Sequence, residues 1–195
     1  MTGRSARRGP DCVRIQAGRW KGRALAVPAS ARPTSGRARA ALFNMLSDRL
    51  PGARVLDLYA GSGAVGLEAV SRGAVRAVLV EPDAGSLLRD LARWKIPEEE
   101  VLVLREPAAR ALSRLSASRE RFDLVFADPP YADAARPDEL AGIVEVLDPK
   151  GIAVVQTDAR SRAPTIPGLR ATASRAYGRN VFHFLGVFDA TARKC

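Results

Sequence analysis

Apolar positions along this chain gather into short, nearly continuous runs separated by stretches with helical spacing, and from residue 54 onward the two alternate. The runs RVLDLY (54–59), RAVLVE (76–81), VLVLR (101–105), FDLVFA (122–127) and GIAVVQT (151–157) lack the in–out alternation of strands with one wet face. Between them, apolar residues recur three and four apart. That spacing predicts one helix ending near Arg72, a second from Asp83 to about Trp94, a third over roughly 108–116 and a fourth over about 137–147. Strands buried on both faces and joined by helices imply an α/β fold with a mostly parallel, doubly wound sheet. Two further β-like runs, LRATASRAY and NVFHFLGVF, face each other across Gly178-Arg179 and predict a closing antiparallel hairpin.

The first quarter has a different texture. VRIQA and RALAV flank the turn-rich GRWKG, which predicts a small hairpin over Val13–Val27. Pro28 to Pro33 reads as a linker. Ser35 is placed to cap a helix from about Arg37 to Leu50, with Ala40, Leu42, Phe43, Leu46 and Leu50 on its apolar side and Pro51-Gly52 ending it. Residues 1–12 are small, polar and basic and read as a disordered tail. The expected organisation is therefore tail (1–12), hairpin-and-helix extension (13–50) and α/β domain (51–195), around one core.

Charge changes the picture in one respect. The chain carries 31 lysines and arginines against 21 acids, and ten of those bases against one acid, Asp11, fall before position 40. A basic arm on a balanced domain is the footprint of a polyanionic partner, because neutralised phosphates release counterions. A solubilising tail, or an arginine-rich genome bias, has the same composition. Cys12 and Cys195 sit near opposite ends with no CxxC or Cys/His partner, so neither a metal site nor a catalytic thiol is expected, and the cytosol is the natural compartment. No apolar run approaches the about 18 residues of a membrane span, and no apolar stretch follows the N-terminal arginines.

Chemistry concentrates at two places. In LDLYAGSGAVGLEA, Gly61, Gly63 and Gly66 satisfy GxGxxG between a strand and a helix, with Glu81 ending the next strand. Glycines there let the backbone approach a ligand, the helix start offers N–H groups, and an acid at the second strand tip accepts from ribose hydroxyls. The ligand is an adenosine cofactor, and a dinucleotide oxidoreductase competes for the motif. Asp57 favours another ligand: a carboxylate before the turn is unhelpful beside a pyrophosphate but suits the α-amino and sulfonium groups of S-adenosylmethionine.

The second place is FADPPYA (126–132). Consecutive prolines cannot continue a strand, so the chain leaves the sheet stiffly and fixes Asp128 and Tyr131. In a doubly wound sheet this strand lies beside the first, its tip facing the cofactor crevice. A carboxylate and a backbone carbonyl held by Pro129-Pro130 take the two hydrogens of an exocyclic amine, and Tyr131 stacks on its base. The amine must come from an unpaired or flipped base.

These residues carry a resemblance. IQAGRWKGRALAVP, RPTSGRARAALFNML (32–46), VLDLYAGSGAVGLEAVSRGA (55–74), LVEPD (79–83), DLVFADPPY (123–131) and YGRNVFHFL together resemble the bacterial 16S ribosomal RNA (guanine-N2)-methyltransferases of the D class. The resemblance implies a Rossmann-like class I methyltransferase that moves a methyl group from S-adenosylmethionine to a guanine N2 in 16S ribosomal RNA, working as a monomer on a small-subunit assembly particle. It implies that Asp57, Tyr59, Gly61 and Gly63 line the methionine end of the cofactor, that Glu81 holds the ribose, and that Asp128, Pro129, Pro130 and Tyr131 form the acceptor site. Arg32, Thr34, Arg37, Arg39 and Asn44 would lie over the cleft, with Arg19, Lys21 and Arg23 adding RNA contacts. The chain departs from the family at Ala40, where glutamate is usual, at Gln156-Thr157-Asp158, where the family is often Glu-rich, and after the third strand, where only Glu106 stands to face adenine. An adenine-N6 or protein-glutamine acceptor fits DPPY as well, and a non-catalytic RNA-binding factor fits the charge. His183, among apolar neighbours, reads as structural, Trp94 as core, and Trp20 as either packing or RNA stacking. Arg175, Tyr177 and Arg179 fit RNA contact and a plain hairpin tip equally.

Overall fold

The computed structural model describes residues 12–28, 35–130, 137–161 and 163–188. A short hairpin of β1 (Cys12–Arg14) and β2 (Ala24–Ala26) leads to helix α1 (Gly36–Met45), whose N-cap Ser35 accepts from the Ala38 N–H. The helix stops at Met45, and a single 3-10 turn over Ser47–Arg49 completes the span expected to be one helix to Leu50. Then come β3 (Arg54–Leu58), α2 (Ala64–Ser71), β4 (Arg76–Val80), α3 (Gly85–Trp94), β5 (Val101–Leu104), α4 (Ala108–Ala117) and β6 (Phe122–Ala127). The fourth helix is two short pieces, α5 (Pro137–Leu140) and α6 (Ile143–Val146), broken at Ala141-Gly142. The chain ends in β7 (Leu147–Asp158), β8 (Leu169–Tyr177) and β9 (Asn180–Val187).

Seven strands form one sheet in the order β5-β4-β3-β6-β7-β9-β8, parallel through β7 and antiparallel for the last two. The chain winds outward from β3 to β5 and returns to β6 on the other side of β3, so the topological switch lies between β3 and β6. Crevices at the carboxyl ends of such strands receive ligands. Asp57 is paired in register with Phe126, and Leu58 with Ala127, so the glycine turn and Asp128 leave the sheet side by side.

Both sheet faces are covered. One carries α1, α2, α3 and the N-terminal hairpin, with Ile15, Trp20, Leu25, Phe43, Leu67 and Leu87 buried against Val55, Leu79, Phe126 and Phe182. The other carries α4 and α6, with Leu112, Leu115, Ile143 and Val146 against Leu56, Val78, Val125 and Val155. The extension therefore shares the first face's core instead of hanging from it. Trp20 is buried and lies 6.2 Å from the Trp94 ring, which settles it as packing. His183 is buried too, bonded through its two ring nitrogens to Thr157 and Ser174, and burial lowers its pKa.

The hairpin docks through its turn. Arg19 N–H donates to Ser71 O at 2.9 Å, and Trp20 N–H to Ser71 Oγ at 2.9 Å. Gly18 permits this approach: a Cβ there would stand 1.7 Å from the Ser71 carbonyl oxygen, at a φ of +78°. Gly22 has a similar φ of +85° but opens onto empty space. Gly18→Ala is therefore expected to cost about 3 kcal/mol by combining backbone strain with a clash, and Gly22→Ala only about 1 kcal/mol from strain. Thermal melts of the two variants side by side check the difference, and equal melting temperatures would refute the close approach.

Candidate active site

The carboxyl ends of β3, β4, β6 and β7 surround a cleft of about 870 Å³. That is large enough for a nucleoside-sized ligand together with part of a second one. Its floor is acidic. Asp57, at the end of β3, is 1% exposed and accepts the Gly66 N–H at 2.8 Å. Glu81, just past β4, accepts from Gly61 N–H at 2.8 Å and Asp83 N–H at 3.0 Å, so it ties the glycine turn to the next strand tip. Asp128, just past β6, receives the Gln156 side-chain amide at 2.9 Å from the neighbouring β7. Pro129 and Pro130 continue the wall.

Tyr59 turns the chain out of β3 at a φ of 60°, a left-handed conformation that costs an L-residue roughly 1–2 kcal/mol. Its hydroxyl donates to Glu139 Oε2 at 3.2 Å across the cleft wall. Strain held by surrounding structure at a strand tip is characteristic of ligand sites.

Burial is the main reason that the Asp57 carboxyl is pushed up to about 7, with Asp128 and Glu81 adding repulsion and the Gly66 hydrogen bond opposing both. The sign follows. Unfolded Asp57 ionises near 3.8, so its protonated, folded-state advantage is complete below that pH and is lost as pH rises through about 7. A cationic ligand group beside Asp57 favours the ionised form, so ligand binding releases a proton. Cofactor affinity is therefore expected to rise about tenfold from roughly pH 6 to roughly pH 8 and to level off above. Titration calorimetry in buffers of different ionisation enthalpy reads both the affinity and the released proton. Asp57→Asn should flatten the profile, and an unchanged slope in that variant would assign the proton elsewhere.

The described residues place the expected site residues unequally. Asp57, Tyr59, Gly61, Glu81, Asp128, Pro129 and Pro130 come together around the cleft. Tyr131, Arg32 and Thr34 lie outside the described residues. Gly63 does not face the cleft: it begins α2 at a φ of 74°, and a Cβ there would meet Leu87 Cδ1 at 2.6 Å, so it serves helix packing while Gly61, Ser62, Ala64 and Val65 form the wall. Glu106 is likewise misplaced as an adenine contact. Arg110 at 3.3 Å and Arg114 at 3.0 Å, both on α4, draw its carboxylate away, and Pro107, Ala108 and Ala109 face the cleft in its stead.

Among the basic residues, Arg39 does line the cleft, but it is 2% exposed and its guanidinium is engaged inside the protein, donating to Arg14 O at 2.6 Å and lying 3.5 Å from Glu68. Glu68 is fully buried and also accepts the Gln16 and Ala17 N–H groups and Arg72, which joins hairpin, α1 and α2 at one carboxylate. Arg19, Lys21 and Arg23 belong to the hairpin turn, beside Ser71, Glu100 and Trp94. Those partners sit where α2 and α3 end and β5 begins, so the turn lies at the end of the sheet opposite the cleft. Arg37 is exposed on the first turn of α1.

Sequence reasoning left Glu139 out and gave no role to Gln156. Gln156 ends an apolar run parallel to FDLVFA, so its nearness to Asp128 was within reach of the same strand-tip logic. Glu139 had no such signal, because it comes from a short helix following residues 131–136.

The fold and the site define a methyltransferase of the class I fold. At the level of fold, the chain superposes on a SAM-dependent methyltransferase from Agrobacterium tumefaciens with a TM-score of 0.64 over 84% of this chain and 66% of that one, at 14% identity. The family described as Conserved hypothetical protein 95 matches residues 13–186, and the chain belongs to it. It is 35% identical over 170 residues to the ribosomal RNA small subunit methyltransferase D of Escherichia coli K12, covering 82% of this chain and 81% of that protein. It is 39% identical to a solved hypothetical protein of Thermus thermophilus, with a TM-score of 0.77 over 90% of this chain and 99% of that one.

Proposed function

We propose that this chain methylates the exocyclic N2 amine of a guanine in 16S ribosomal RNA, using S-adenosylmethionine, and that it acts as a monomer on a partly assembled small-subunit particle. The observation that carries the reading is the meeting of Asp128-Pro129-Pro130 with Asp57, Gly61 and Glu81 around one cleft. The donor set also separates the candidate cofactors. Three carboxylates on the floor suit a ligand with an ammonium and a sulfonium, and repel the pyrophosphate of a nicotinamide dinucleotide. The small-subunit ribosomal RNA named for the Escherichia coli relative supports the substrate class.

In this reading Asp57 faces the cationic methionine end, Glu81 the ribose, and Pro107 to Ala109 the adenine. When bound, the cofactor supplies an electron-poor methyl group on a sulfonium centre. The rest is positioning by the chain. Asp128 accepts one amine N–H and a backbone carbonyl of the Asp128–Pro130 tip accepts the other, so the nitrogen lone pair points into the cleft. Gln156 holds Asp128 in that orientation from β7. The Asp128 carboxylate is also beside the amine to take the proton it releases. Holding reacting groups in this way contributes much of the rate in such displacements.

Nucleoside analysis of ribosomal RNA from cells with and without the gene tests the proposal. Loss of N2-methylguanosine from the small-subunit RNA is expected. Loss of N6-methyladenosine instead would move the acceptor to adenine, and an unchanged nucleoside profile would refute the RNA substrate.

A further inference from the structure

The basic hairpin turn at residues 18–23 lies at the wrong end of the sheet to meet a base in the cleft, so cations that hold RNA there must come from the cleft rim itself. Eight of the twenty arginines among the described residues are already committed: Arg19, Arg39, Arg54, Arg72, Arg76, Arg93, Arg110 and Arg114 each pair with a carboxylate. Of the twelve that form no ion pair among the described residues, Arg160, Arg175 and Arg179 are exposed on the same corner of the molecule.

That corner adjoins the acceptor site. Arg179 is in the β8–β9 turn, where Tyr177, Gly178, Arg179 and Asn180 line the cleft. Arg160 is in the turn after β7, and the Ala159 N–H donates to Arg179 O at 2.9 Å, which fixes the two turns against each other. Arg175 is placed by strand register. Gln156, the residue that holds Asp128, pairs with Phe182, and Phe182 pairs with Arg175. Residues directly opposite in a sheet point to the same face, so Arg175 stands on the Asp128–Gln156 face, two strands and about 10 Å farther out. Among the described residues only Asp158 brings a carboxylate to these turns, and it is engaged by the Arg160 N–H.

We infer that Arg160, Arg175 and Arg179 form a basic lip that grips the phosphates of single-stranded RNA flanking the base held at Asp128. The inference rests on the RNA substrate proposed above and gives it a surface. A flipped or unpaired base needs its backbone anchored on the acceptor side of the cleft, and arginine forks match phosphate oxygens. Such contacts position the strand without reading its sequence.

The test is a salt titration of binding to a fluorescent single-stranded RNA oligonucleotide, using the full chain. Each phosphate contact on a single strand contributes about 0.7 to the slope of log affinity against log salt. Replacing all three arginines with alanine is expected to lower the slope by about 2 and low-salt affinity by tenfold or more, with S-adenosylmethionine affinity unchanged. The triple lysine variant should keep most of the slope. Arg121→Ala, in the turn leading into the opposite end of β6, should match wild type. A triple alanine variant with wild-type slope overturns the lip while leaving the proposed activity standing, since nucleoside analysis judges that separately. Wild type that binds no RNA overturns both. Impaired action on particles with unimpaired RNA binding overturns the lip as an RNA contact and assigns the arginines to a protein component of the particle.

Discussion

Asp128→Ala is expected to lower the single-turnover rate of methyl transfer about a thousandfold while leaving cofactor affinity within a few fold of wild type. Asp128 closes the acceptor side of the cleft and is bonded to Gln156, whereas the residues assigned to the cofactor's methionine and ribose ends, Asp57 and Glu81, keep their own hydrogen bonds to Gly66 and Gly61 without it. The size of the loss reflects charge as well as position. Asp128→Asn conserves shape yet puts a second amide against Gln156, so one amide must turn, and the amine meets a neutral acceptor instead of a carboxylate. It should lose nearly as much as the alanine variant. Calorimetry for the cofactor beside a quenched methyl-transfer assay separates the two quantities. Loss of cofactor affinity equal to the loss of rate would show that Asp128 belongs to the cofactor's half of the cleft.

The same residues show what a sequence can disclose. The sheet was legible because strands buried on both faces must be apolar throughout, so five parallel strands appeared as five uninterrupted runs. The first half of β7 was hidden, since Asp148-Pro149-Lys150-Gly151 has turn chemistry although the strand spans Leu147–Asp158. The register shift between Phe122 and Leu124 accommodates that segment. Asp57, Gly61, Glu81 and Asp128 were legible because each is fixed by its distance from a strand end. Gly63 misled because helix packing and ligand approach both demand glycine. Glu106 misled because Arg110 and Arg114, one and two helical turns onward, outcompete the cleft for its carboxylate.

Charge was the least transferable signal. Counting arginines before position 40 predicted a polyanion-binding arm, yet within the described part of that arm Arg19 is paired with Glu100, Arg23 lies over Trp94, and Arg39 is buried. Composition cannot distinguish an arginine that faces a phosphate from one that faces a carboxylate of its own chain. An unpaired arginine near a reactive strand tip is a tighter criterion, and it points to the other end of the sequence.

Glu68→Leu is expected to destabilise the protein by about 3–5 kcal/mol, a fall in melting temperature on the order of 10 °C for a chain of this size. Its signal was visible in the sequence as an acid inside the apolar helix AVGLEAVS, but its partners were not. In the structure Glu68 is 0% exposed and gathers Gln16 N–H at 2.8 Å, Ala17 N–H at 3.0 Å, Arg72 at 2.9 Å and Arg39 at 3.5 Å. Leucine fills much of the volume, so the cost comes from stranding charge and backbone donors. Arg72 is partly exposed and can turn to water. Arg39 cannot: burial already pushes its pKa down, and the Glu68 charge opposes that push. Adding Arg39→Leu to Glu68→Leu should therefore recover a substantial part of the stability, because an apolar pair substitutes for an ion pair better than a lone buried cation does. A double variant no more stable than Glu68→Leu alone would place the energy in the hairpin's two backbone donors. Either outcome reaches the cleft, because Arg39 lines it and Glu68 lies on the helix that begins at the glycine turn.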